Sequence, residues 1–262
     1  SKRYYCDGRF IHAKESLVDF SELSHQREIR ESLNKIFSEK CSTERLKEFD
    51  NEFKHDESLY DFLATNGYLG LGINEKLNGS GEDLYDLGIL FECLGFYAVP
   101  LSLTGCLVDV AQTLQKFSKN DNHQSIVSSI TKGEIYTSAI LEPLNHDPEN
   151  PTTTAVFDGD KVIINGSKYL SEISSLAKGI LISASSNKGV ILVLVKTDNV
   201  KLTQLTSTAN SPLFKVELKN VSVEESDIVH QEGRGLETLR YLLQINLSLI
   251  HISEPTRPLY IS

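Results

Sequence analysis

The chain predicts an α+β fold: an all-helical N-terminal domain, a middle antiparallel β-barrel or sandwich, and the first helix of a further helical bundle. Three observations carry this. Apolar residues recur at helical spacing from about Ser21 to Asn120. From Glu134 the pattern becomes short β-prone runs separated by turn residues. Helical spacing then returns at Gly233-Arg234-Gly235. The implied division is an unassigned extension over 1–16, a helical domain over 17–133, a β domain over 134–233, and a helical opening over 234–247.

The helices come first. Ile29, Leu33, Ile36 and Phe37 fall at i, i+4, i+7 and i+8, one apolar stripe on one helix. Leu59, Phe62 and Leu63 mark a second, which Asn66-Gly67 can end with a left-handed cap. After the turn Asn78-Gly79-Ser80-Gly81 comes the cleanest stripe, Leu84, Leu87, Leu90, Phe91 and Leu94, closed by Pro100. Leu107, Val110, Leu114 and Phe117 predict the next helix, and Ile126 and Ile130 a shorter one ending near Lys132-Gly133. The strands are expected at 135–141, 152–157, 162–170, 180–184 and 190–195, with Asp158-Gly159 as a hairpin signal. Phe214, Val216 and Leu218 alternate with charged residues, so that strand is half exposed. The unbroken apolar run Val190–Val195 predicts a strand covered on both faces. In the last helix Leu236, Leu239, Leu243, Leu247 and Ile250 are expected to share the packed face, and Pro255 and Pro258 end it.

The 262 residues carry a net charge of −10 with no basic run, the wrong sign for a non-specific nucleic-acid binder. No apolar window is long enough to span a membrane, and Ser1–Lys14 lacks a signal-peptide stretch, so a cytoplasmic protein is expected. The four cysteines are scattered without a C-x-x-C pair, which indicates neither a zinc site nor a disulfide framework. The histidines have no partners at metal-ligand spacing, so no metal site is expected. The chain contains no Met and begins at Ser1, as an incomplete translation product would.

The order of short motifs is informative. Leu63–Leu71 (LATNGYLGL) is followed by Asn78-Gly79-Ser80-Gly81, Glu92-Cys93-Leu94-Gly95, and Lys132-Gly133-Glu134 leading into Ala139-Ile140-Leu141-Glu142-Pro143. Thr153-Thr154-Ala155-Val156, Gly159-Asp160 and Val162–Lys168 (VIINGSK) come next, then Phe214–Leu218 and Gly233-Arg234-Gly235. In this order they resemble the acyl-CoA dehydrogenase family, with the pattern A-x-T-E-P at the strand end and T-x-A-x-x-x-G-D-x-Y/V-x-I/L-N-G-x-K after it. The likeness covers about Leu17 to Ser248.

That resemblance implies an FAD-dependent oxidation of an acyl-CoA to its 2-enoyl-CoA, with electrons passed to an electron-transfer flavoprotein. It also implies a homo- or hetero-oligomer; the acidic charge and the lack of a long apolar window are what leave no nucleic acid or membrane expected as partner. By resemblance, the flavin-binding positions are Leu141, Glu142 and Pro143 at the strand end, and Ser171 displaced from the W-I-T/S pattern. The sequence departs from the pattern at these points. Leu141 stands where the family has a flavin-bonding Thr or Ser, and Leu144-Asn145-His146-Asp147 replaces G/A-G-S-D. Leu170 takes the place of the aromatic wall. Backbone amides remain able to hold the ring, because they do not depend on side-chain identity.

The family's catalytic carboxylate lies in the C-terminal bundle in most members, and this chain is expected to stop inside that bundle's first helix. No residue here is therefore assigned as catalytic. Ser248–Ser262 (SLIHISEPTRPLYIS) is similar to the translated read-through of a sequencing adapter, and is expected to be a non-native tail. A fragment of this kind is expected to expose an apolar face and to associate.

Simpler readings compete at several positions. Lys168 is expected to be a solvent-facing strand residue, and Asn165-Gly166 a turn or bulge. His146 beside Asp147 is expected to be surface decoration, and Glu44–Glu57 a solvated helix face. A second functional reading is a non-catalytic partner subunit of a heteromeric acyl-CoA dehydrogenase that has lost its flavin contacts. A bare β-sandwich binding module is the third, and it leaves the motif order unexplained.

Overall fold

The structure, a computed structural model, describes residues 3–6, 9–12, 22–52, 56–81, 83–170, 176–205, 213–230 and 233–253. Near the N-terminus β1 (Arg3–Cys6) and β2 (Arg9–His12) pair antiparallel. The helical domain comprises α1 (Ser24–Lys40), α2 (Thr43–Glu52), α3 (Glu57–Thr65), α4 (Leu84–Phe96), α5 (Thr113–Phe117) and α6 (Asp121–Ile130).

α1 buries Leu33 and Phe37, as the stripe predicted. At the end of α3, Gly67 adopts φ 80°, the left-handed cap that Asn66-Gly67 signalled. α3 begins with Asp56 as its N-cap, its Oδ1 accepting from the Leu59 amide at 3.0 Å. Asp56 corrects one expectation, because it falls in the acidic stretch read as solvated yet is buried. A buried capping carboxylate needs a counter-charge. Arg45 supplies it, donating to Oδ2 through Nε at 2.9 Å and Nη2 at 2.7 Å.

α4 lies between α1 and α7, so Ile89 and Cys93 are buried along with Leu87, Leu90, Phe91 and Leu94. The predicted helix through Leu107 is not one regular helix. Thr104–Gln112 is π-helical and continues into α5. Its wider turns hold two buried polar residues, Asp109 and Gln112, and Gln112 Nε2 donates to the Gly72 carbonyl at 2.8 Å.

His123, on α6, is fully buried, with Nδ1 2.7 Å from Ser118 Oγ. Burial lowers its pKa, with Asp227 opposing. The unfolded chain therefore takes up a proton that the folded chain resists. This group's stabilisation is complete above about pH 6.5 and is lost as pH falls through that value toward the folded pKa. Urea midpoints measured from pH 8 to pH 5.5 should decline below about pH 6.5. The decline should flatten in His123→Gln.

The β domain holds β3 (Tyr136–Ala139), β4 (Thr154–Asp158), β5 (Lys161–Leu170), β6 (Gly179–Ser186), β7 (Gly189–Lys196), β8 (Lys201–Leu205) and β9 (Leu213–Glu224). They form one curled sheet in the order β3-β6-β4-β5-β9-β8, with β7 also on β6. Asp158-Gly159 opens the β4–β5 hairpin, and the β5–β9 register shifts between Ile164 and Gly166. Asn165-Gly166 is thus a bulge, where Asn165 Oδ1 accepts from the Asn220 amide at 2.8 Å.

The sheet is mixed rather than wholly antiparallel: β3 and β4 each run parallel to β6. Hairpin signals report only strands adjacent in sequence, and these pairings join strands that are not. β8 was not anticipated, because Lys201, Thr203 and Gln204 are all exposed and leave no alternation to read. β7 is covered on both faces, as its apolar run predicted. Leu192 packs into the helical core, while Ile191, Val193 and Val195 line the sheet's own core.

α7 (Gly235–Ser253) packs on α4, β7 and the π-helical segment. Its buried face carries Leu239, Leu242, Ile245 and Leu249; of the predicted stripe, Leu239 is buried and Leu243 packs half-buried against the core, whereas Leu247 is exposed. Leucines occupy more than one face of this helix, and only its neighbours decide which face is covered. The helix passes position 248 without a break, and Leu249 belongs to the core. The side chain of Ile250 lies outside the described residues. No described helix is long and apolar enough to cross a membrane.

Candidate functional site

The strand end after β3 and the last residues of β5 form one small structure. The Tyr169 amide donates to the Leu141 carbonyl at 2.8 Å, which sets the two segments side by side. Alternation along each then sorts the side chains. Glu142 and Lys168 point inward and are buried; Leu141 and Tyr169 point outward, 59% and 36% exposed.

Inside, Lys168 corrects the expectation of a solvent-facing residue: it is 0% exposed. Its Nζ lies 2.8 Å from Glu142 Oε1 and donates to Ser183 Oγ at 2.9 Å and the Ile140 carbonyl at 3.2 Å. Glu142 is equally engaged. Oε2 accepts from the Thr152 amide at 2.6 Å, Thr152 Oγ1 at 2.7 Å and Asn145 Nδ2 at 2.9 Å; Oε1 also accepts from the Thr153 amide at 2.8 Å. Burial pushes the Glu142 carboxyl up, but the bonds from Lys168, Thr153, Asn145 and the Thr152 amide outweigh it and hold it well below the ordinary range. Burial draws the Lys168 ammonium down, and Glu142 opposes that. The pair is ionised and satisfied, the condition under which a buried ion pair is tolerated.

The loop that follows is held by the same carboxylate. Glu142 and Asn145 form a β-bridge, and Asn145 Oδ1 accepts from the Asp147 amide at 3.0 Å. Glu149 ties the loop to α7, accepting from Arg240 Nε at 2.8 Å and Nη2 at 2.7 Å. Leu144 sits at φ 62° and is 99% exposed. A left-handed backbone favours glycine, the residue type that the resemblance allows at this position. His146 is exposed, and the Asp147 carboxylate is occupied by Asn150 Nδ2 and the Glu149 amide, so the two form no catalytic dyad.

Upstream on β3, Ser138 hydrogen-bonds the buried Asp109 carboxylate of the π-helical segment, and Asn246 of α7 donates to its other oxygen at 2.5 Å. One carboxylate therefore links the helical domain, the strand leading to Leu141, and α7. Sequence reasoning missed both Asp109 and Lys168. For Lys168 a signal existed: it shares the parity of the buried Val162 and Ile164 on β5. Its partner, 26 residues earlier, carries no such mark.

Residues 24–134 match the family profile described as acyl-CoA dehydrogenase, N-terminal domain. The chain as a whole has the acyl-CoA dehydrogenase fold. It matches the ChsE4-ChsE5 complex from Mycobacterium tuberculosis with a TM-score of 0.81 and 20% identity, over 90% of this chain and 64% of that one. Among curated relatives it is 22% identical to probable acyl-CoA dehydrogenase YngJ of Bacillus subtilis, over 85% of this chain and 62% of that protein. It is 27% identical to the caffeyl-CoA reductase-Etf complex subunit CarC of Acetobacterium woodii, over 80% of this chain and 52% of that one. The chain thus spans between about half and two thirds of the length of these relatives.

Within this acyl-CoA dehydrogenase fold, the expected flavin positions fall as follows. Leu141 is on the surface and Pro143 is half-buried beside it. The Glu142 side chain is turned inward and fully used by its own partners. Ser171 lies outside the described residues, as does the side chain of Leu170. Leu141 and Tyr169 form an exposed shelf on paired backbone, and Leu144 is exposed in the loop that follows. Among the described residues no group of His, Cys, Asp and Glu is placed to hold a metal. Described clefts lie elsewhere, one between α3 and the β domain beside Tyr60, Asp61, Glu134 and Lys178, another beside Phe157 and His230.

Proposed function

We propose that the protein is an acyl-CoA dehydrogenase-like flavoprotein that oxidises an acyl-CoA thioester to the 2-enoyl-CoA, with FAD as the electron acceptor. The observation that carries this reading is the exposed Leu141–Tyr169 shelf seated on the buried Glu142–Lys168 pair, at the strand end where the resemblance puts the flavin. FAD supplies the hydride acceptor when bound. This chain's residues supply the seat: Leu141 and Tyr169 exclude water from one face of the ring, and their paired backbone fixes its height. The base that takes the α-proton is assigned to no residue of this chain. An electron-transfer flavoprotein as onward acceptor is supported by the Etf complex named for the Acetobacterium relative.

A second reading is a partner subunit of a heteromeric acyl-CoA dehydrogenase that itself lacks flavin. Leu141 favours it, since an exposed leucine replaces a hydrogen-bonding side chain at the ring. The two-component ChsE4-ChsE5 complex shares this fold. The visible spectrum of the protein produced from its complete gene decides between them. A flavin band that bleaches when an acyl-CoA is added without oxygen is expected. A folded, colourless protein would overturn the enzyme reading in favour of the partner subunit.

A further inference from the structure

Lys168 and Glu142 are buried and charged, and the proposed reaction gives neither a chemical role. What they touch is informative. Lys168 holds the Ile140 carbonyl, one residue before Leu141, and is itself followed by Tyr169. Glu142 immediately follows Leu141 and gathers the Thr152 amide, the Thr153 amide and Asn145 Nδ2, fixing both ends of the loop that carries Leu144. Both outward residues of the shelf are thus adjacent to a member of the pair. An apolar core contact at this place would fill the space but would not fix the direction of the Ile140 carbonyl or the two amides.

We propose that the Glu142–Lys168 ion pair is a positioning device for the flavin seat, setting the backbone of Leu141 and Tyr169 and the fold of the 143–152 loop. This rests on the flavoprotein reading above. The pair does not touch the cofactor; it acts through the backbone between. Because the side chain at 141 offers no hydrogen bond, the seat depends on main-chain geometry, and so on whatever fixes that geometry.

The test uses the protein from its complete gene, stripped of flavin and titrated with FAD by fluorescence quenching, with thermal unfolding followed in parallel. Lys168→Met/Glu142→Gln removes both charges. It is expected to raise the Kd for FAD at least tenfold and to blur the fine structure of the bound flavin's absorption band. Asn145→Ala leaves the ion pair in place and loosens only the loop, so it covers the case in which the double variant does not fold. It is expected to raise the Kd several-fold with the melting temperature within a few degrees of the parent. Parent-like Kd and spectrum in a folded double variant, or in Asn145→Ala, would overturn the proposal. A parent that binds no FAD overturns it as well, and that outcome alone marks failure of the flavoprotein reading.

Discussion

Lys168→Met is expected to destabilise the fold by about 3 kcal/mol, read as a drop in unfolding free energy by urea denaturation at neutral pH. Removing the ammonium strands a buried carboxylate and leaves Ser183 Oγ and the Ile140 carbonyl without their donor. The cost falls at the lower end of the range for broken buried pairs, because Glu142 keeps its bonds from Thr152, Thr153 and Asn145. Glu142→Gln should be comparably damaging, since an amide cannot accept from all those donors at once. Combining the two should cost less than the sum of the singles, because each single leaves an uncompensated charge and the pair together leaves none. Additive losses would show that the two charges do not act as a unit. The carboxyl's contribution is complete above about pH 4.5, its ordinary value, and is lost as pH falls toward its lowered folded pKa.

The second large effect concerns Gly235, the first residue of α7. A Cβ there would collide with the Val190 carbonyl oxygen of β7, with His230 Nε2 also in the way. The obstacle is backbone, so relief requires moving α7 off the sheet rather than turning a side chain. Gly235→Ala is therefore expected to cost about 3 kcal/mol, at the upper end for overpacking. The same displacement would strain the Arg240–Glu149 tie and the Asn246–Asp109 bond. Hydrogen exchange is expected to show faster opening in α7 and β7 together, with α1 and α3 unchanged. Uniform loss across the molecule, or no loss at all, would count against this junction as the point of contact between the third layer and the sheet.

Gly235 also separates two kinds of information. In the sequence, Gly233-Arg234-Gly235 marks where helical spacing resumes, and the helix does begin at Gly235. Why glycine stands there is a matter of what approaches from β7, which no local pattern records. The helix's packed face is a similar case. Leucines at several phases are compatible with more than one stripe, and contact with α4 and β7 selects the one through Leu242 and Ile245.

By itself, the sequence determined the layer order, most element positions and the shape of the chain at its turns. Helical stripes, the Asp158-Gly159 hairpin, the Asn165-Gly166 bulge and the Gly67 cap are local, set by periodicity and by the φ values that few residues tolerate. The motif resemblance also marked the 139–143 strand end and the segment after Lys168 as the expected cofactor seat. Only the tertiary structure decided that these segments lie side by side, that β3 and β4 run parallel to β6, and that Lys168 is buried against Glu142. Asp56 with Arg45, and Asp109 with Ser138 and Asn246, were decided in the same way. The physical reason is common to all of them. Whether a charged side chain seeks water or a partner depends on the desolvation its neighbours impose, and those neighbours are remote in the chain.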